Sequence, residues 1–292
     1  MYYVVFGLLY LLSLLPLPVL YLISDFFYLI IYYVIGYRKK VVMNNLAIAF
    51  PNKSEKERTI VAKKFYRNFT DNFIETLKLL SCSNKFINKH FTGDFSIFNN
   101  LYEKGKKCQV HLGHNFNWEL ANVAVPLHIK HHFLAIYMPI ENKIFDKLFK
   151  KIRTRTGSIF LPATDIKNAI IPWRSKLYTL ALIADQSPAV PHNAFWVNFF
   201  GRPTPFVRGP ESGAKNEDMS IVFANITKIK RGYYKFNSVL AEGNPSILPK
   251  GELTRKYAVY LERVISEEPE MWLWSHKRWK FDWKPEYGPI IN

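Results

Sequence analysis

His114 and Glu119 stand five residues apart in "HLGHNFNWEL", residues 111–120, directly after the apolar run "CQVHL". A histidine is a base near neutral pH, and a carboxylate on its other ring nitrogen fixes the working tautomer. Such a pair can deprotonate a hydroxyl so that it attacks an activated acyl group. On one helix, five steps turn the chain by about 500° and leave the side chains about 140° apart. The pair therefore needs a junction, with His114 on a loop at a strand's carboxyl end and Glu119 opening the next helix. Open α/β sheets bind ligands at that end of their strands. Spacing alone also fits a polar loop without chemistry. His111, inside the strand, is expected to pack or hydrogen-bond locally.

The surrounding elements supply that setting. From Cys108 onward, the strand-length runs "CQVHL", "FLAIYMP", "SIFLP" and "YTLALIAD" alternate with helical stretches at 119–128, 142–155 and 165–173. That alternation predicts an α/β fold with a largely parallel sheet flanked by helices. "SIVFANITKI" and "GYYKFNSVL" predict a hairpin-like pair, and residues 252–267 a last helix before an aromatic, basic tail. Upstream, residues 41–80 predict two amphipathic helices broken at Pro51, the second opened by a Ser54–Glu57 capping box.

Residues 2–36 carry one charge, Asp25, and the run from Tyr2 to Ser24 has none. This exceeds the roughly 20 residues needed to cross a bilayer core. Pro16 and Pro18 interrupt it, so a kinked span and a re-entrant hairpin both fit. No basic residue precedes the run and no small-residue cleavage site follows it, which speaks for a permanent anchor over a signal peptide. "YRKK" at 37–40 places the remainder on the cytoplasmic side. Residues 1–36 are thus read as membrane anchor and 37–292 as one catalytic domain.

The net charge of +17 calls for an anionic partner. No zinc-finger spacing, RNA-binding aromatic strand or basic low-complexity tail is present, so nucleic acid is disfavoured against an anionic membrane lipid or a phosphorylated substrate. Cys82 and Cys108 have no metal spacing and read as reduced thiols. The eight histidines include no HExxH pattern, and neither metal nor cofactor is expected.

"GHNFNWE" resembles the H-x-x-x-x-D/E block of glycerolipid and lipid A acyltransferases, in the form typical of the late acyltransferases of lipid A biosynthesis. Five further blocks follow the same family in order. "RKKVVMNNLAIAFP" resembles its post-anchor segment through Arg38, Asn45, Leu46, Phe50 and Pro51. Arg155 and Gly157 take the places of its second block, and Asp185 and Gln186 in "LIADQSP" those of its Asp-Gln segment. "VNFFGRPTPFVRG" is similar through Phe199, Phe200, Gly201, Pro203 and Gly209. "PEMWLWSHKRWK" is similar through Pro269, Trp272, Trp274, His276, Arg278 and Trp279. Phe116 departs from the family's glycine at that place, Asn115 and Arg208 depart at theirs, and Phe116 puts the loop's backbone conformation in question.

The resemblance implies a glycerolipid-acyltransferase-like fold at the bacterial inner membrane, moving an acyl chain from acyl carrier protein or acyl-CoA to a lipid hydroxyl. The implied acceptor is a phosphorylated glycolipid, a lipid A precursor; the alternatives are a lysophospholipid or aminolipid acceptor, and a catalytically inactive membrane-bound binding protein that keeps the fold. His114 and Glu119 are then the catalytic pair. Arg155, Asp185, Gln186 and Arg278 are candidate substrate-binding residues, Arg155 for phosphate or oxyanion. Plainer readings stand beside these: Arg155 as a helix-end charge, Asp185 as the cap of a turn, and the Trp-rich tail with Arg278 as packed protein with a solvated basic face. "FWVNFF" fits either a wall of the acyl slot or a core strand, and the tail either a lipid interface or a packed end.

Overall fold

A computed structural model describes all residues, 1–292. The N-terminal segment forms α1 (Tyr2–Leu14) and α2 (Leu17–Leu29), the latter continued by a π-helical turn at Ile30–Ile35. Leu15 and Pro16 are extended, with ψ near 146°, so the proline breaks the apolar run into two helices. Two helices follow, α3 (Lys39–Ala49) and α4 (Glu55–Lys78). Phe50, ahead of Pro51, leaves the helical region as a residue before proline does. Ser54 and Glu57 cap α4 reciprocally.

Next come α5 (Asn84–His90), β1 (Phe91–Gly93), α6 (Ser96–Glu103), β2 (Cys108–Leu112), α7 (Trp118–Ala124) and β3 (His132–Tyr137). The chain continues through α8 (Lys143–Arg153), β4 (Ile159–Pro162), α9 (Ile166–Ala169), β5 (Tyr178–Ile183), β6 (Ala194–Phe199) and β7 (Arg202–Val207). It ends with α10 (Gly209–Asn216), β8 (Ser220–Lys230), β9 (Tyr233–Glu242), α11 (Glu252–Glu267) and β10 (Ile290–Ile291).

Seven strands make the main sheet in the order β1-β9-β8-β2-β5-β3-β4. Every neighbouring pair is parallel except the β8–β9 hairpin. β10, β6 and β7 form a small separate sheet. One core of 50 buried residues joins the main sheet to α4, α7 and α11, and a smaller one of 6 lies around β4 and β5. The α/β architecture is the one the alternation predicts, and the last helix spans Glu252–Glu267, the expected range.

The register of β2 and β5 positions the chemistry. Leu112 pairs with Ile183 at their carboxyl ends, so His114 and Asp185 each lie two residues beyond the same rung of a parallel ladder.

Candidate active site

His114 leaves β2 through Gly113, a position with no room for a side chain. A Cβ there would stand 2.6 Å from Leu261 Cδ1 and 3.3 Å from Asp185 Oδ2. The missing side chain lets Asp185 close on His114. The His114 backbone N–H donates to Asp185 Oδ2 at 2.8 Å, and Nδ1 meets Oδ1 at 2.5 Å. The Trp272 indole donates to the same carboxylate at 2.6 Å. Burial works to raise the Asp185 carboxyl, but the charge and hydrogen bonds of His114 and the Trp272 bond prevail and hold it below its ordinary value. An ionised Asp185 fixes the Nδ1–H tautomer, which leaves Nε2 as the basic nitrogen. Gln186 Nε2 donates to it at 3.2 Å.

The group that orients His114 is therefore Asp185, where the sequence points to Glu119. Glu119 does open α7, as expected, but its carboxylate is gripped by Arg153 at the end of α8: Nε lies 2.9 Å from Oε2, and Nη2 2.5 Å from Oε1. The five-residue spacing puts Glu119 beside the histidine in the chain and turns its carboxylate to a different partner.

Between His114 and Glu119, the chain is pinned on both sides. The Phe116 N–H donates to Met271 O at 2.9 Å, and the Phe116–Asn117 peptide is cis. Asn117 caps α7 by accepting from the Leu120 N–H at 3.3 Å, while its amide donates to the buried Glu75. Phe116 does not have positive φ, so a bulky side chain carries no glycine-type penalty there. Its ring is buried against Phe65 and Trp118, with centroids 5.7 and 5.8 Å away.

Two cavities meet at this point. The larger, about 660 Å³, has 20 hydrophobic residues among its 27 lining residues and takes in His114, Glu119, Arg153 and Gln186. Its walls suit an alkyl chain. The smaller, about 370 Å³, shares Trp118, Glu119, Arg153 and Gln186 with it and adds polar groups from Arg38, Asn72, Ser275 and His276. Burial, followed by the Arg278 charge, lowers His276 to about 4, so it is neutral at pH 7, and its Nε2 accepts from the Ser187 N–H at 3.0 Å.

An apolar cavity with an Asp-held histidine at its wall, joined to a polar chamber, is accompanied by a match over residues 1–281 to the bacterial lipid A biosynthesis acyltransferase family. The chain belongs to that family. Among curated proteins, none matches it.

In this acyltransferase, several residues sit elsewhere than the sequence predicts. Arg155 does not line either cavity. Its guanidinium donates to the Leu79 and Cys82 carbonyls at the end of α4 and lies 3.2 Å from Cys82 Sγ, a structural use of its donors. Two residues earlier, Arg153 lines both cavities; the block that drew notice to Arg155 offered nothing to separate them. Arg278 is fully buried, with its guanidinium over Phe206 at 4.2 Å and Nη1 donating to Pro205 O at 2.9 Å. Burial pushes it down to about 10. It braces the fold and lines neither cavity, so it is not placed for the substrate binding the resemblance implies.

Trp272, Trp274 and Trp279 are buried core residues, not rings at a lipid interface. Their loop is tied down by α3, since Asn45 donates to Trp274 O and His276 O at 2.8 and 2.7 Å, and Arg38 to Ser275 O at 2.9 Å. "FWVNFF" is mostly β6, a core strand away from the large cavity. His111 is buried against the Gln109 amide at 2.9 Å, lowered to about 3 by burial, and takes no part in the site. Trp272 and Arg153 escaped the sequence reading as site residues because only the fold brings them to His114 and Glu119.

Proposed function

We propose that this acyltransferase moves a fatty acyl chain from an acyl thioester, carried by acyl carrier protein, to a hydroxyl of a lipid A precursor, with His114 as the general base. The observation that carries this reading is the Nδ1 bond to buried Asp185, which leaves Nε2 basic at the wall of an apolar cavity.

The acyl chain lies in the large cavity, with its thioester carbon at the His114 end. The acceptor enters through the polar chamber. His114 Nε2 takes the hydroxyl proton as the oxygen bonds to the thioester carbon; the tetrahedral intermediate collapses, and the C–S bond breaks. The departing thiolate takes the proton back from Nε2, so the enzyme ends as it began. Asp185 stabilises the imidazolium formed in between, in the manner of a triad aspartate. Arg153, held in place by Glu119, is the cation at the junction for the oxyanion or an acceptor phosphate. No cofactor enters these steps.

The +17 charge supports an acidic carrier, an anionic membrane and a phosphorylated acceptor together. The exposed apolar N-terminal helices support attachment to the bacterial inner membrane, with the catalytic domain on the cytoplasmic side, where acyl carrier protein is found. Mass spectrometry of lipid A from cells with and without the gene tests the acceptor. Loss of one secondary acyl chain in its absence is the expected result; an unchanged lipid A shifts the acceptor to another lipid.

A further inference from the structure

By length and composition, Leu17–Ile35 is a helix able to cross a membrane, yet it is attached to charged protein along its whole length. The attachment to α4 is antiparallel and continuous. At the α1–α2 corner, Lys78 Nζ donates to Ser13 O and Leu15 O at 2.8 and 3.0 Å. One turn further, Tyr21 OH donates to Glu75 at 2.7 Å, and Ser24 Oγ to Asp71 at 2.7 Å. Tyr28 then meets the Arg67 guanidinium at 5.1 Å, and Tyr32 the Tyr66 ring at 5.3 Å. At the centre of the segment, Asp25 forms a two-pronged pair with Arg231 of the β8–β9 turn at 2.8 and 3.0 Å. Arg231 is also bonded to Asp71.

We infer that residues 2–35 lie within one membrane leaflet, docked along α4, and do not cross the bilayer; this rests on the membrane attachment proposed above. If Leu17–Ile35 crossed while docked, Arg67, Asp71 and Glu75 of α4, with Lys228, Arg231 and the β8–β9 turn, would have to enter the hydrocarbon. Open strand ends and solvent-facing charges such as the exposed Arg67 do not do so. If it undocked to cross, Asp25 would sit unpaired near the midplane, and buried Asp71 and Glu75 would lose partners. α1, at 13 residues, is only about 20 Å long and too short to cross alone.

The outer surface fits a leaflet. Of the 28 large hydrophobic residues that are exposed, 16 lie in residues 1–37, a concentration that water does not tolerate and lipid does. Lysines rim it: Lys147 and Lys151 of α8 stand over Tyr2 and Phe6 at 4.3 and 4.1 Å, and Lys39 over Tyr32 at 4.3 Å. Their ammonium groups are placed to reach lipid headgroups. Because α8 ends at Arg153, where both cavities meet, the same leaflet borders the reaction centre, and a lipid acceptor can enter without leaving it.

The test compares two labelled positions on the full-length enzyme, a cysteine in a short polar extension ahead of Met1 and Lys40→Cys on an exposed position after the segment. A membrane-impermeant maleimide is applied to right-side-out and inside-out vesicles, with the wild type as blank because Cys82 and Cys108 are buried. Both positions should label on the same face, with labelling ratios within about twofold of each other. Labelling on opposite faces overturns the inference, as does release of the protein from the membrane by alkaline carbonate. Acyl transfer assayed in the same vesicles scores the catalytic proposal separately, so a failed topology with transfer intact removes only the leaflet placement.

Discussion

Asp185 holds His114 at two points, accepting from its backbone N–H at 2.8 Å and binding its Nδ1 at 2.5 Å. A carboxylate that fixes both loop and ring sets orientation and tautomer together. Asp185→Asn keeps the shape and lets the amide present the wrong group to Nδ1. The expected result is a fall in kcat of roughly 10²–10⁴ with little change in KM, measured by steady-state acyl transfer. A variant with kcat within twofold of wild type excludes this role.

Glu119 and Arg153 form a second, separate pair, with side-chain exposures of 4% and 18%. Truncating Glu119 leaves a largely buried guanidinium uncompensated. Glu119→Ala should therefore lower stability by about 3–5 kcal/mol, and the Glu119→Ala/Arg153→Ala double variant should lose less than the sum of the singles. Denaturant unfolding of the four proteins checks this coupling; strict additivity would mean that the pair does not act as a unit.

Arg155 offers the contrast. Its bonds to the Leu79 and Cys82 carbonyls predict that Arg155→Ala loses about 1–3 kcal/mol of stability and keeps kcat per folded molecule. A selective loss of kcat, with unchanged unfolding, would return Arg155 to the reaction.

Glu75 links the N-terminal helices, the catalytic loop and the sheet, accepting from Tyr21, Asn117 and Tyr234. Burial outweighs these donors and raises it to about 7 from an ordinary value of 4.5. A carboxyl raised in the folded state binds its proton more tightly there than in the unfolded chain. Its contribution is thus fully present below about pH 4.5 and lost as pH rises to about 7. Glu75→Gln should abolish this part of the pH dependence, on the order of 3 kcal/mol between pH 5 and 8. Unfolding curves across that range, with parallel slopes for both proteins, would contradict it.

Ala135 on β3 lines the large cavity. Ala135→Leu fills space meant for the chain and should shift preference towards shorter acyl donors. Each methylene displaced is worth about 10–200-fold in kcat/KM, read from competition between carrier-bound chains of different length. Unchanged preference would place the chain elsewhere.

The sequence made some of this legible and hid the rest for identifiable reasons. The strands around Cys108–Leu112 and Tyr178–Ile183 show in local composition, and the capping box of α4 is a local pattern. His114 also stands out locally. Its partner does not, because Asp185 is 71 residues away, and their approach depends on β5 lying next to β2, an order no local pattern encodes. The tryptophan-rich tail fits a lipid interface and a packed end equally in sequence, because composition cannot tell a lipid surface from an aromatic core. Hydropathy likewise marks residues 17–35 as long enough to cross a membrane; the Asp25–Arg231 pair, spanning 206 positions, exists only in the fold.

The most direct test of the chemistry is a reconstituted reaction of purified enzyme with acyl carrier protein thioester and a lipid A precursor, wild type against His114→Ala, followed by mass spectrometry. The expected result is one added acyl chain with the wild type and a rate lower by roughly 10²–10⁴ with the variant. No added chain with the wild type, or equal rates for the two proteins, would contradict a His114-driven transfer.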